Sequence, residues 1–201
     1  MLGKWNKSVI LTYIGLTLSI LGMLLVFQGV NLKYVFICLM FSGICDLFDG
    51  TVARKCKRTK EEKDFGIELD SLVDVVSFIV LPLIILESIN NSIWSLPIYV
   101  LYAIFGVARL AYFNIKAPHN NKPVPYYEGL PVTMAAIVFP ILFLLSYIVK
   151  NNVFITIYTL VTLIVGILFI TKIKVPKPKL ISSIILVLCA AITTCIYLFI
   201  V

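Results

Sequence analysis

Four aspartates interrupt sequence that is otherwise apolar enough for a lipid bilayer. Asp46 and Asp49 fall in FSGICDLFDGTVAR, and Asp70 and Asp74 fall in FGIELDSLVDVVSF. A carboxylate near mid-bilayer costs about 2.5–3.5 kcal/mol even on a lenient insertion scale. Four of them need one another, water or cations as company. Carboxylate oxygens suit hard divalent ions, so the chemistry indicated is a metal site inside a membrane protein. Asp46 and Asp49 are three residues apart, and Asp70 and Asp74 are four apart. On helices both spacings keep the side chains on one face. Two such faces meeting across a hairpin can hold a pair of cations, the arrangement that clamps a transferred phosphoryl group.

The residues beside the aspartates point the same way. Gly50 follows Asp49, and Gly66 precedes Asp70 by four. Glycine inside a helix is unfavourable by roughly 0.8–1 kcal/mol relative to alanine. Either a bulky ligand approaches the backbone there, or two helices pack closely, as small residues permit in membranes. A glycine beside each aspartate pair favours the ligand. Ala53 extends the smooth surface by one turn. Arg54 stands eight residues after Asp46, where a guanidinium suits a phosphate; the alternative is an arginine snorkelling to the interface.

The elements that must position these groups are membrane helices. The chain has 201 residues, 61% of them hydrophobic and only 13% charged. A span needs about 20 apolar residues, and seven candidates occur, at about 8–28, 31–53, 66–89, 93–115, 131–149, 153–171 and 180–201. The expectation is an all-α integral membrane protein, a polytopic helical bundle forming a single domain over residues 1–201, with no room for a separate soluble domain. Lys4 and Lys7 ahead of an apolar run resemble a signal peptide, but the run is too long and lacks a small-residue cleavage site, so an uncleaved first span is expected. Of the 17 lysines and arginines, all but Lys33 and Lys150 fall on one side of that layout. The positive-inside rule makes that side cytoplasmic. Spans two and three then form a hairpin that brings all four aspartates to similar depth near the cytoplasmic face. The basic residues orient the protein and attract anionic lipid; no nucleic-acid partner is expected. The five cysteines form no C-x-x-C pair and read as small apolar residues. His119 reads as a solvated loop residue, and Trp5 and Trp94 as interfacial anchors.

Written together, the polar positions are Asp46-x-x-Asp49-Gly50-x-x-Ala53-Arg54, eleven residues, then Gly66-x-x-x-Asp70-x-x-x-Asp74. This resembles the signature of the CDP-alcohol phosphatidyltransferases. The resemblance implies a six-span catalytic core, about residues 8–171, with the span at about 180–201 as an addition. It implies two divalent cations, magnesium or manganese, on Asp46, Asp49, Asp70 and Asp74, with Asp74 as ligand or general base. It assigns Gly50, Ala53, Arg54 and Gly66 to the CDP moiety of the lipid substrate, and it implies a homodimer. One departure is the length between Arg54 and Gly66, eleven residues where the family usually has about eight. The extra length falls in a polar loop, where insertions are tolerated.

The stretches FDGTVARK, GVARLAYFNI, GLPV and KIKVP look similar to the serine-using branch of the family. That likeness implies transfer of a phosphatidyl group from CDP-diacylglycerol to L-serine, with release of CMP. Serine is zwitterionic, so its site needs a cation for the carboxylate. Arg109, Tyr112, Phe113 and Lys116 follow an i, i+3, i+4, i+7 pattern. Arg109 is a candidate for the serine carboxylate or a lipid phosphate, with Lys116 as helper; an arginine pointing to headgroups is the alternative. Asn114 is a candidate substrate hydrogen-bonder or helix cap, Glu128 a partner for the serine ammonium, and Thr133 a weaker candidate. Thr12, Thr17 and Ser19 either meet cytidine or bond backbone carbonyls. Ser71 is the one hydroxyl close to the aspartates in sequence, and a covalent intermediate on it is disfavoured. Two other functions remain open on the residues alone. A sibling transferase using glycerol 3-phosphate or inositol phosphate would call for a denser basic cluster. A cation transporter would explain buried aspartates but not the glycines and Arg54 at these spacings.

Overall fold

The computed structural model describes Gly3 and residues 6–116, 126–176 and 180–199, apart from the side chains of residues 116, 127, 176 and 180–182. Trp5 and His119 lie outside the described residues, as does the side chain of Lys116. The chain forms α1 (Ile10–Phe27), α2 (Leu32–Lys55), α3 (Lys60–Val75), α4 (Leu81–Ile89), α5 (Leu96–Lys116), α6 (Ala135–Phe143), α7 (Asn151–Ile170) and α8 (Leu180–Phe199). A π-helical turn, Val76–Val80, joins α3 to α4 in one continuous rod. Among the described residues, five helices are long and apolar enough to cross a membrane: Lys7–Phe27, Leu32–Lys55, Lys60–Ile89, Ile93–Ile115 and Asn151–Ile170. Val132–Tyr147 and Ser183–Phe199 are shorter apolar helices. The protein is an all-α polytopic membrane protein, as its composition requires. Trp94 stands exposed at the head of the fourth rod, where an interfacial anchor belongs.

Two features depart from the helix-only expectation. The third rod begins at Lys60, six residues before the apolar run. Thr59 caps it: its Oγ1 accepts the Glu62 N–H at 3.2 Å, while Glu62 Oε2 accepts the Thr59 N–H at 2.8 Å. A two-stranded antiparallel ribbon also forms, β1 (Tyr126–Glu128) against β2 (Lys174–Pro176), with Glu128 opposite Lys174. Gly129 turns the chain out of it at φ +80°, a conformation that costs glycine little. The Gly129 N–H then donates to Ile173 O at 2.9 Å and the Leu130 N–H to Leu168 O at 3.0 Å. The chain leading into α6 is thereby tied to the end of α7.

Tight packing fixes the bundle around α2. Helix α1 runs along it, with Cys38 and Cys45 set against Gly22 and Gly15, as small apolar residues would be. Gly43 meets α6 so closely that a Cβ there would stand 2.6 Å from that of Ala136. Deeper in the bundle, backbone groups freed by proline find side-chain partners, as a medium without water demands. Pro82 has no N–H for the Phe78 carbonyl four residues back, and Tyr102 donates its hydroxyl to that oxygen at 2.7 Å. After Pro140, α6 tightens into a 3₁₀ turn at Leu144–Tyr147, and Tyr197 of α8 donates to the Pro140 carbonyl at 2.5 Å. Tyr197 is fully buried against Phe36 and Phe143, so the last helix is anchored in the bundle.

The Gly43 contact gives a direct test. Gly43→Val should overpack the α2–α6 crossing, destabilise the fold by about 1–3 kcal/mol and lower the melting temperature of the detergent-purified protein. An unchanged melting temperature would mean that the two helices do not approach this closely.

Candidate functional site

The aspartates come from two helices that meet at matching depth. Asp46 lies nine residues before the end of α2, and Asp70 ten residues after the start of α3. At a rise of about 1.5 Å per residue, each lies roughly 14 Å from its helix end. Carboxylate oxygens of Asp46, Asp49 and Asp70 fall within 4.8 Å of one another. Asp74 is within hydrogen-bonding range of Asp46, as Asp70 is of Asp49. Asp49 and Asp74 are almost wholly buried. Two unit charges about 4 Å apart repel by about 4 kcal/mol at an effective dielectric near 20. Such a cluster is stable only with protons or cations between its members. An all-oxygen donor set of three or four carboxylates fits hard divalent cations and excludes a preference for soft ones.

A hydroxyl supports the cluster from the third side. Thr12 of α1 is buried and donates to Asp49 Oδ2 at 3.2 Å. Thr17 bonds its own helix at Tyr13 O. Ser19 bonds Gly15 O at 3.0 Å, Ser42 at 2.9 Å and Ser77 at 2.7 Å. Ser42 and Ser77 line the same small cavity as the four aspartates, so a hydroxyl cluster forms its floor. Ser71 donates to Asn114 Oδ1 at 3.0 Å. That bond engages the Asn114 carbonyl oxygen and ties α3 to α5.

Beside Asp49 and Asp70 opens a cleft of about 200 Å³, walled by Gly50, Ala53, Arg54 and Gly66. Every position that the sequence pattern groups with the aspartates therefore shares one space. A Cβ added at Gly50 would stand 3.7 Å from Arg54 Nη1, and one at Gly66 would stand 3.8 Å from Val9 Cγ1. Those are ordinary contacts, so helix packing does not require glycine at either position, and both present bare backbone to the cleft. Arg54 is held by Thr51 at 3.0 Å, and Arg58 and Lys63 join it on the same wall. These two cations were not singled out from sequence, because the 55–65 loop reads only as a charged connection.

Arg109 is buried on α5 and acts electrostatically on both Asp46 and Asp74. Its guanidinium lies 5.5 Å from the Phe113 ring centre. It also lines a second cavity of about 200 Å³, together with Tyr112, Glu128, Thr171 and Lys172. Tyr112 donates to Glu128 Oε2 at 2.5 Å. The β ribbon thus carries Glu128 to the cavity, and Lys172, within the KIKVP stretch, closes it. Thr133 lies elsewhere, near Asp46 in a groove between α2, α6 and α8. It does not share the Arg109 cavity, because the turn after Gly129 carries it past that space.

Loss of the Thr12 hydroxyl should be felt at the carboxylates. Outer partners of ligands typically contribute about 10–100-fold in metal affinity or activity. Thr12→Val should weaken Mn²⁺ binding, measured by calorimetry, by roughly tenfold or more, and Thr12→Ser should restore it. Equal affinity in both variants would leave Thr12 a packing residue.

Comparison with known proteins bears on the same residues. Residues 5–196 match the family model described as CDP-alcohol phosphatidyltransferase. A CDP-diacylglycerol–serine O-phosphatidyltransferase of Methanocaldococcus jannaschii is 36% identical over 132 residues, which is 66% of this chain and 58% of the relative. The protein of that name in Helicobacter pylori is 32% identical over 140 residues, 66% of this chain and 57% of the relative. An archaetidylserine synthase of Methanothermobacter thermautotrophicus is 30% identical over 134 residues, 66% of this chain and 53% of the relative. The chain thus spans somewhat more than half the length of these relatives. With the four aspartates around one small cavity, the rest of the signature on the cleft beside it, and the family model matching nearly end to end, the chain belongs to the CDP-alcohol phosphatidyltransferase family.

Proposed function

We propose that the protein transfers the phosphatidyl group of CDP-diacylglycerol to the hydroxyl of L-serine, giving phosphatidylserine and CMP. The observation that carries this is a carboxylate cluster beside a cleft with bare glycine backbone and cationic walls; Arg109 acts electrostatically on Asp46 and Asp74 and lines a cavity of its own. The names of the relatives support serine as acceptor. A cation-transport role finds no support in the family match or in a cleft walled by glycine and arginine.

In this reading Asp46, Asp49 and Asp70 hold Mg²⁺ or Mn²⁺, two ions in all, with Asp74 as a further ligand or as the base. When bound, the ions supply charge neutralisation for a diphosphate. Gly50, Ala53 and Gly66 let the CDP group lie against helix backbone, and Arg54 donates charge-assisted hydrogen bonds to it. Arg58 and Lys63 add positive charge at the mouth. Arg109 takes the serine carboxylate, Glu128 faces its ammonium, and Lys116 and Lys172 raise the local positive charge. Asn114, whose Oδ1 accepts from Ser71, offers its amide N–H groups to the substrate, and Thr133 lines a different groove, beside Asp46. The serine oxygen forms its bond to the lipid-bearing phosphorus while the bond from that phosphorus to CMP breaks. CMP departs with the electron pair, and Asp74 accepts the hydroxyl proton as the new bond forms. We place the site at the cytoplasmic face of the cell membrane, on the distribution of lysine and arginine, and take the working form to be a homodimer.

The test is CMP release by purified protein given CDP-diacylglycerol, Mg²⁺ or Mn²⁺, and serine, glycerol 3-phosphate or inositol phosphate in turn. Release with serine alone is expected; release only with a phosphorylated acceptor would overturn the assignment. Asp74→Asn should cut turnover by about 10²–10⁴-fold while the protein still binds the lipid substrate, and near-normal turnover would remove Asp74 from the chemistry. Arg109→Ala should raise the KM for serine more than that for the lipid; equal effects would assign it to the diphosphate.

A further inference from the structure

The last helix, α8, walls a groove that begins at the aspartates. Helices α2, α6 and α8 enclose a groove with Asp46 and Thr133 at one end. Away from them its walls are apolar, formed by Met40, Ile137, Leu186 and Ala190. From Asp46 to Met40 is six residues along α2, about 9 Å, and the direction is away from the α2 terminus, into the bilayer. The groove is narrow: its open volume is about 40 Å³, against about 200 Å³ for each of the polar cavities. Such a narrow, apolar-walled space suits a single file of methylenes better than a nucleotide or a zwitterion. Gly43 and Ala136 keep its floor flat, since neither has more than a methyl group. The outer face of α8 carries Ile184, Ile185, Leu188 and Ile192 to the lipid side, so the helix divides the groove from bulk lipid.

We propose that this groove seats one acyl chain of the diacyl substrate while its phosphate lies at the aspartates, and that Leu186 and Ala190 of α8 set how long a chain is held. The proposal rests on the phosphatidyl-transfer reading above. It gives the added helix a role in selecting the lipid: the chain is gripped by protein on three sides from Asp46 inward, and only its distal part lies in the bilayer.

The experiment compares dihexanoyl with dioleoyl CDP-diacylglycerol, at saturating serine in detergent micelles, for wild type, Leu186→Trp and Ala190→Phe. Filling the groove should raise the KM for the dioleoyl substrate about tenfold, the loss expected when two methylenes are displaced. The KM for the dihexanoyl substrate should stay within about twofold, and its turnover reports that the variants are folded. Ile192→Trp, on the lipid-facing side of the same helix, should change neither. Should the filled variants fail to accumulate, Leu186→Ala replaces them, and its dioleoyl KM should rise while its dihexanoyl KM holds. Equal changes with both substrates, or none with either, would overturn the groove assignment. Wild-type protein that releases CMP from neither lipid would instead count against phosphatidyl transfer itself, and is seen before any variant is compared.

Discussion

A carboxylate inside a bilayer is tolerated only where positive charge, a proton or water stands against it. Here that constraint applies four times within one small volume, and much of the bundle is arranged around it. Asp46, Asp49 and Asp70 converge from two helices to within 4.8 Å, Thr12 braces the cluster from a third, and Arg109 supplies a buried positive charge from a fourth. No contact among apolar side chains explains that convergence. Carboxylates left to themselves would separate, so the cluster calls for cations or protons between its members.

Holding like charges together demands a rigid frame, and the frame is built from close helix contacts and satisfied backbone. Gly43 and Ala136 let α2 and α6 touch. Thr59 and Glu62 cap α3 before it enters the apolar region, so the aspartates on it sit well inside a completed helix. The π turn at Val76–Val80 follows one residue after that helix ends, as such turns often do at working sites, and it turns Ser77, Phe78 and Ile79 into the core. Tyr102 and Tyr197 then close the backbone oxygens that Pro82 and the tightened turn after Pro140 leave open. The same glycine residue type does opposite work at two places: Gly43 is filled by a neighbouring helix, whereas Gly50 and Gly66 face open cleft.

Much of this was readable from the residues. Charge in an apolar chain is rare and its position is informative, so the aspartate pairs, the glycines and Arg54 marked the site. The length of the apolar runs marked the helices; among the described residues five are long enough to cross, while those near 131–149 and 180–201 are shorter apolar helices. What escaped depends on contacts distant in sequence. Thr12 looked like any hydroxyl in a membrane helix until α1 was set against α2. Arg58 and Lys63 looked like loop charge until the hairpin folded them over the cleft. The β ribbon is three residues per strand, too short to leave an alternating pattern, yet it brings Glu128 and Lys172 to the Arg109 cavity. Thr133, the weaker serine-site candidate, lies beyond the turn at Gly129 and lines a groove other than the Arg109 cavity.

The central claim is that these aspartates jointly hold divalent cations. The most direct measurement is an experimental structure of the detergent-purified protein grown with Mn²⁺, with anomalous scattering recorded at the manganese edge. Two anomalous peaks among Asp46, Asp49, Asp70 and Asp74, absent when Asp70 is replaced by asparagine, are expected. Aspartates splayed apart, or paired with lysine or arginine and with no anomalous peak between them, would contradict it.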